Sequence, residues 1–199
     1  MANLAGAKPS RLSEHGHECC SNAKEWFFAM DCSLGTYRSS TPPPTWIRRR
    51  FDWGPTRWPL YWCRAVESPT LDCGALADLT RNALLHRGLS ALSCQIVEKF
   101  NRDNVSHWRR AWEKAGVPAN WTSDIYAYHE ICAILEGNSV SLWDPTDNKW
   151  VVNMDEGYGS LQALRITPDE NLRTPEALRC NGQEVLVGNW TIVRRIPAV

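Results

Sequence analysis

Apolar residues recur at Leu76, Leu79, Ala83 and Leu84, the spacing of one helical face, and Gly88 stands where such a helix stops. The run LSCQIVEKF, Leu92 to Phe100, then reads as a strand. SHWRRAWEKA predicts a second helix, with Ser106 in the N-cap position and Gly116 after its end. From Tyr126 the period falls to two. YAYHEICAILEG runs to Gly137-Asn138, a hairpin turn pair, and VSLWDPT returns beside it. KWVVNM, SLQALRI and QEVLVGNWTIVRRI predict further strands. Helix first and antiparallel sheet second is the order of an α+β fold.

Upstream the pattern is less regular. Residues 1–22 are small and polar and are expected to form a flexible tail, with residues 23–199 as a single domain. Glu25–Met30 predicts a short docked helix or strand, and Ser39-Ser-Thr-Pro-Pro-Pro44 a stiff connector. Trp46 to Trp62 is rich in tryptophan and broken by Pro55 and Pro59, which predicts an irregular layer packed over a core.

Composition narrows the partners. A chain of 199 residues with 43% apolar and 22% charged residues can bury one substantial core. Its 22 basic side chains match 22 acidic ones, so no global charge draws it to nucleic acid or an acidic membrane. Arg48–Arg50 and Arg109-Arg110 are too short for a groove-reading stripe and read as solvated or loop-anchoring. No apolar run approaches a membrane span, and no apolar signal region opens the sequence, so a cytoplasmic protein with reduced thiols is expected.

The eight cysteines change the picture in two places. In His15-Gly-His-Glu-Cys-Cys20 the potential ligands are crowded at one- and two-residue spacing, unlike a zinc pattern, so no metal and no cofactor is expected. Cys32, Cys63, Cys94, Cys132 and Cys180 have no paired spacing and read as core or surface thiols.

Cys73 differs, because SPTLDCGALADL places it where a loop runs into the helical pattern. A cysteine in a first helical turn faces unpaired N–H groups and the positive end of the dipole, which favour a thiolate. Asp72 is suited to cap that helix. His129 lies on the first hairpin strand with Ile131, Ala133 and Leu135 on its side of the pleat, a face expected to pack on the helical layer. Cys132 alternates to the opposite face. Asp144 ends the returning strand, placed to accept the Nδ1 proton of His129 and leave Nε2 toward the sulfur, with Asp147 as the substitute carboxylate. Set against this, Asp144 before Pro145 is also a common turn carboxylate. Sulfur to attack, imidazole to move the proton and carboxylate to hold the ring make a nucleophilic triad.

Asp-Cys-Gly-Ala-Leu at 72–76, His129 on a strand and Trp143-Asp-Pro-Thr146 ending the next resemble the transglutaminase-like branch of the papain-like superfamily, over about residues 68–152. The resemblance implies a helix carrying the cysteine, packed on an antiparallel sheet carrying histidine and aspartate. It implies Cys73 as nucleophile, His129 as base and Asp144 as orienting acid. The reaction implied is acyl transfer through a thioester, on an amide or acyl substrate. Backbone N–H groups of Cys73 and Gly74 are candidate oxyanion donors. Trp53, Trp58 and Trp62 are candidates for the second donor, a part that tryptophan often takes in the family.

Two other readings stand beside it. The same fold can release or cyclise an intermediate carried as a thioester on a carrier protein, with some of the eleven tryptophans lining an acyl channel. It can also serve as a binding module without catalysis, in which case Cys73 is buried and unreactive.

Overall fold

The computed structural model describes residues 12–14, 16, 18–34, 43–151, 160–169, 172, 174–180 and 183–192. Among these, helices precede a large sheet, and the protein is a mixed α+β structure. No helix among the described residues is long and apolar enough to cross a membrane.

The sheet is built around β3 (Ala91–Lys99), β5 (Tyr126–Glu136), β6 (Ser139–Asp144) and β8 (Ser160–Thr167). β3 lies between β5 and β8, antiparallel to both, and β6 pairs with the other edge of β5. Beyond β6 come β9 (Ala177–Cys180) and β10 (Gln183–Leu186), and beyond β8 comes β11 (Thr191–Ile192). The β6–β9 contact is parallel. Two short strands complete the nine: β4 (Thr122–Ser123) on β5 and β7 (Lys149–Trp150) on β6. Gly137 closes the β5–β6 hairpin at φ 61°, a left-handed conformation that glycine adopts without a Cβ clash.

Helix α4 (Cys73–His86) packs on one face of this sheet, where Ala77 and Leu84 meet Ala91, Cys132, Ile134 and Trp143. Ile131, Ala133 and Leu142 point the other way and are buried with Leu178, Cys180 and Val185 of the late strands. The apolar side of β5 that the sequence assigns to the helical layer is therefore covered by strands instead. The pattern fixes that this face is buried and does not say by what. Cys132 takes the helical side, its thiol donating to the Ala77 carbonyl at 3.1 Å.

A second core lies among the helices. Phe27 of α1 (Glu18–Leu34) packs against Trp46 of α2 (Trp46–Arg50) and Trp62 of α3 (Trp62–Glu67), with Ala75, Leu76 and Leu79 of α4 behind them. Asp31 is fully buried there, bonded to both Trp46 and Arg87. α1 begins inside the segment expected to be a tail, and Cys20 is buried within it. Residues 1–11 of that segment lie outside the described residues, as do residues 152–159, which include the end of the predicted KWVVNM strand.

α5 (Arg102–Lys114) starts earlier than the sequence suggests. Asn101 caps it by accepting from the Asp103 and Asn104 N–H groups, leaving Ser106 inside the helix.

Candidate active site

The first turn of α4 is fixed by its cap. Asp72 Oδ1 accepts the Ala75 N–H at 2.8 Å. Trp58 Nε1 donates to Oδ2 at 2.8 Å, and the Asp72 N–H donates to Thr56 Oγ1 at 2.8 Å. Burial pushes the Asp72 carboxyl up, and these hydrogen bonds work against it. β1 (Asp52–Trp53) runs parallel to β2 (Thr70–Leu71), so residues 52–58 lie alongside the approach to α4. Cys73 is the first residue of the helix and is half-buried.

β5 delivers the histidine at a break in its outer edge. β4 pairs there with Tyr126 and Ala127, and β6 pairs only from Cys132 onward. Among the described residues, no strand pairs with 129–131 on this edge. His129 stands in this gap, and Cys73 is close enough to its ring to help raise the ring's pKa. Cys73 also helps raise the pKa of Tyr128, whose side chain projects from the opposite face of β5.

Asp144 completes the row. Its Oδ2 lies 3.1 Å from His129 Nε2, and its Oδ1 accepts the Thr146 N–H at 2.8 Å. One carboxylate thus holds both its own turn and the imidazole. Nε2, not Nδ1, therefore faces the carboxylate, the reverse of the assignment expected from the sequence. Asp147 is no substitute: it pairs with Lys149 at 2.7 Å.

Electrostatics polarise the row. Burial disfavours a charged His129, but the Asp144 carboxylate and the contact with Cys73 outweigh it and hold the ring well above its ordinary pKa. Burial likewise works against ionised Asp144, and the His129 charge and hydrogen bond overcome it, so its pKa is lowered. Both shifts favour an imidazolium beside a carboxylate.

The oxyanion candidates separate cleanly. The Gly74 N–H lies close enough to Asp72 to lower the carboxyl's pKa. Trp62 lies in the helical core against Phe27 and Phe28. Trp58 is adjacent to the site but donates to Asp72. Trp53 differs from both. Its indole nitrogen is buried with no hydrogen-bond partner among the described residues, as is that of Trp121. Trp53 pairs through its backbone with Leu71, two residues before Cys73. Its ring packs with Trp108, Trp112 and Trp121, and the Trp121 carbonyl accepts the Tyr128 N–H next to His129. The tryptophan cluster therefore spans from the strand before the cysteine to the strand of the histidine.

Two residues near the site were not singled out from the sequence. Tyr128 donates to Glu130 Oε2 at 3.2 Å, and burial, Glu130 and Cys73 push its hydroxyl pKa far up, so it stays a neutral phenol. Glu98 is raised by burial, with the His129 charge opposing and Asp144 reinforcing the shift. The strand register contains the signal for Glu98: Ile96 is the partner of His129, and Glu98 is the next residue on that face.

No protein-family model, curated protein or solved structure matches the chain significantly.

Proposed function

We propose that the protein is a thiol-dependent acyl-transfer enzyme of transglutaminase-like type, acting on an amide or thioester substrate. The carrying observation is the His129–Asp144 hydrogen bond together with Cys73 at a capped helix start, close enough to help raise the His129 pKa. On this reading, α4 set against the gap in β5 is this chain's version of the transglutaminase-core arrangement. The half-buried thiol fits a nucleophile better than a silent core residue.

The chemistry runs in two balanced halves. The Cys73 sulfur, its proton passed to His129 Nδ1, attacks the carbonyl carbon and forms a C–S bond, while the carbonyl oxygen takes the negative charge. The Cys73 N–H and the Trp53 indole N–H are the donors for that oxygen, each worth on the order of 3 kcal/mol. Collapse expels the leaving group, which takes its proton from His129 Nδ1. His129 then accepts a proton from water or an amine as that acceptor attacks the thioester, and returns it to the Cys73 sulfur as the C–S bond breaks. Asp144 holds the ring orientation and charge throughout.

The test is turnover of amide and thioester donors, with water and a primary amine as acceptors. Cys73→Ala removes turnover, and Asp144→Asn lowers kcat by about 10²–10⁴ with the fold intact. Turnover that survives in Cys73→Ala refutes the assignment.

A further inference from the structure

Cys19 and Cys20 occupy the first turn of α1, and Cys63 the first turn of α3. Their three sulfurs all lie within 4.8 Å of one another, and Cys20 Sγ is 3.0 Å from Cys63 Sγ. Spacing along the chain hides this group, because the third sulfur comes from 43 positions beyond Cys20. We propose that Cys19, Cys20 and Cys63 form a soft-metal site that takes one zinc ion, with the fourth coordination position open to solvent beside Cys19.

The donor set argues for the class of ion. All three groups are sulfur, with no carboxylate among them, which selects zinc and other thiophilic ions over magnesium or calcium. Zinc–sulfur bonds of about 2.3 Å place tetrahedral thiolates about 3.8 Å apart. The Cys20–Cys63 separation is shorter than that value and all three sulfurs lie within 4.8 Å of one another, so binding requires Cys20 and Cys63 to part by about 0.8 Å, within reach of side-chain rotation. A disulfide between Cys20 and Cys63 leaves the third sulfur with no part to play.

The supporting frame is rigid. Phe27, two turns along α1 from Cys20, packs edge-on to Trp62, the residue before Cys63, with ring centroids 5.4 Å apart. Ser13 forms a bridge to Tyr61 and donates its N–H to the Leu60 carbonyl at 3.2 Å, fixing the chain ahead of both helices. Exposure is graded across the site: Cys20 is buried, Cys63 half-buried and Cys19 exposed. The exposed member provides the way in for the ion and leaves room for a water ligand. Binding replaces three thiol protons with one dication and staples α1 to α3. The site is separate from the Cys73 row and independent of the acyl-transfer reading.

The experiment uses the full chain, reduced and stripped with a chelator, then dialysed against zinc and analysed for bound metal. Cobalt is titrated in parallel to read the sulfur-to-cobalt charge-transfer band of a thiolate site. The expected result is one zinc per chain, with affinity lowered more than about tenfold by Cys20→Ser or Cys63→Ser and unchanged by Cys32→Ser. As a check that needs no variant, zinc slows N-ethylmaleimide modification of Cys19 and Cys63 while leaving Cys32 as reactive as before. Binding well below one equivalent, retention after both serine substitutions, or the mass of a Cys20–Cys63 disulfide in place of bound metal overturns the proposal.

Discussion

His129 and Asp144 share a hydrogen bond, Nε2 to Oδ2 at 3.1 Å, just beyond the point where their two strands stop pairing. The end of the ladder is what makes the arrangement usable. A histidine inside a paired stretch has strand neighbours on both edges, whereas among the described residues His129 is paired only with β3. Fold and chemistry meet at this interruption.

That bond has a stability signature in pH. His129 is raised above its ordinary value, so its contribution is complete below about pH 6.5 and fades as pH climbs through the raised value. Asp144 is lowered, so its contribution is complete above about pH 4 and is lost as pH falls through the lowered value. Asp144→Asn is therefore expected to cost roughly 1.5–3 kcal/mol near pH 5.5, and less at alkaline pH. Urea unfolding of both proteins at the two pH values checks this. A cost that is the same at both values speaks against a charged pair.

Trp53 and Trp58 are expected to fail in different ways. Trp53→Phe removes the unpaired indole donor and lowers kcat by about 10²-fold with little change in KM. Trp58→Phe removes a bond to the helix cap and acts mainly on stability, by about 1 kcal/mol. Steady-state kinetics beside thermal unfolding separates the two. Equal kcat losses would place the oxyanion donor elsewhere.

The cap should tolerate loss of charge better than loss of its acceptor. Asp72→Asn keeps an oxygen for Ala75 but sets its N–H₂ against the Trp58 indole donor, so it costs about 1 kcal/mol, no more than Trp58→Phe. Asp72→Ala costs about 1–2 kcal/mol and displaces Cys73, so kcat falls as well. Denaturation midpoints and kcat for the two variants decide whether the cap positions the thiol.

Thiol accessibility tracks burial. Cys94 and Cys132 are buried with their pKa values pushed well up, and Cys180 is pushed up to about 11 by burial, so all three resist iodoacetamide in the native protein. Cys73 reacts, and His129→Ala slows it without slowing exposed Cys32. Peptide mapping over a labelling time course reads each rate. A Cys73 rate that ignores His129 breaks the link between sulfur and ring.

The residues that meet in space are readable because each carries a local signal. Asp72 caps, Cys73 opens a helical period, His129 sits on a period-two strand and Asp144 ends its return. The ring orientation is not readable, since it depends on where β6 leaves β5, a matter of twist rather than of sequence pattern. The covering of the Ile131 face is hidden for a related reason: β9 is short, packs parallel to β6 and carries no long alternation. Asn101 displaces Ser106 as a cap because both are good caps and the preceding strand ends at Lys99. The Cys20–Cys63 meeting leaves no trace in spacing at all.

The central claim is that Cys73 carries the acyl group, and intact-mass analysis after brief exposure to an activated acyl thioester tests it most directly. The account predicts a single acyl addition that peptide mapping places on Cys73, and that His129→Ala slows by at least about 10²-fold. Acylation at other cysteines with Cys73 unmodified, or a Cys73 adduct forming at the same rate without His129, would contradict it.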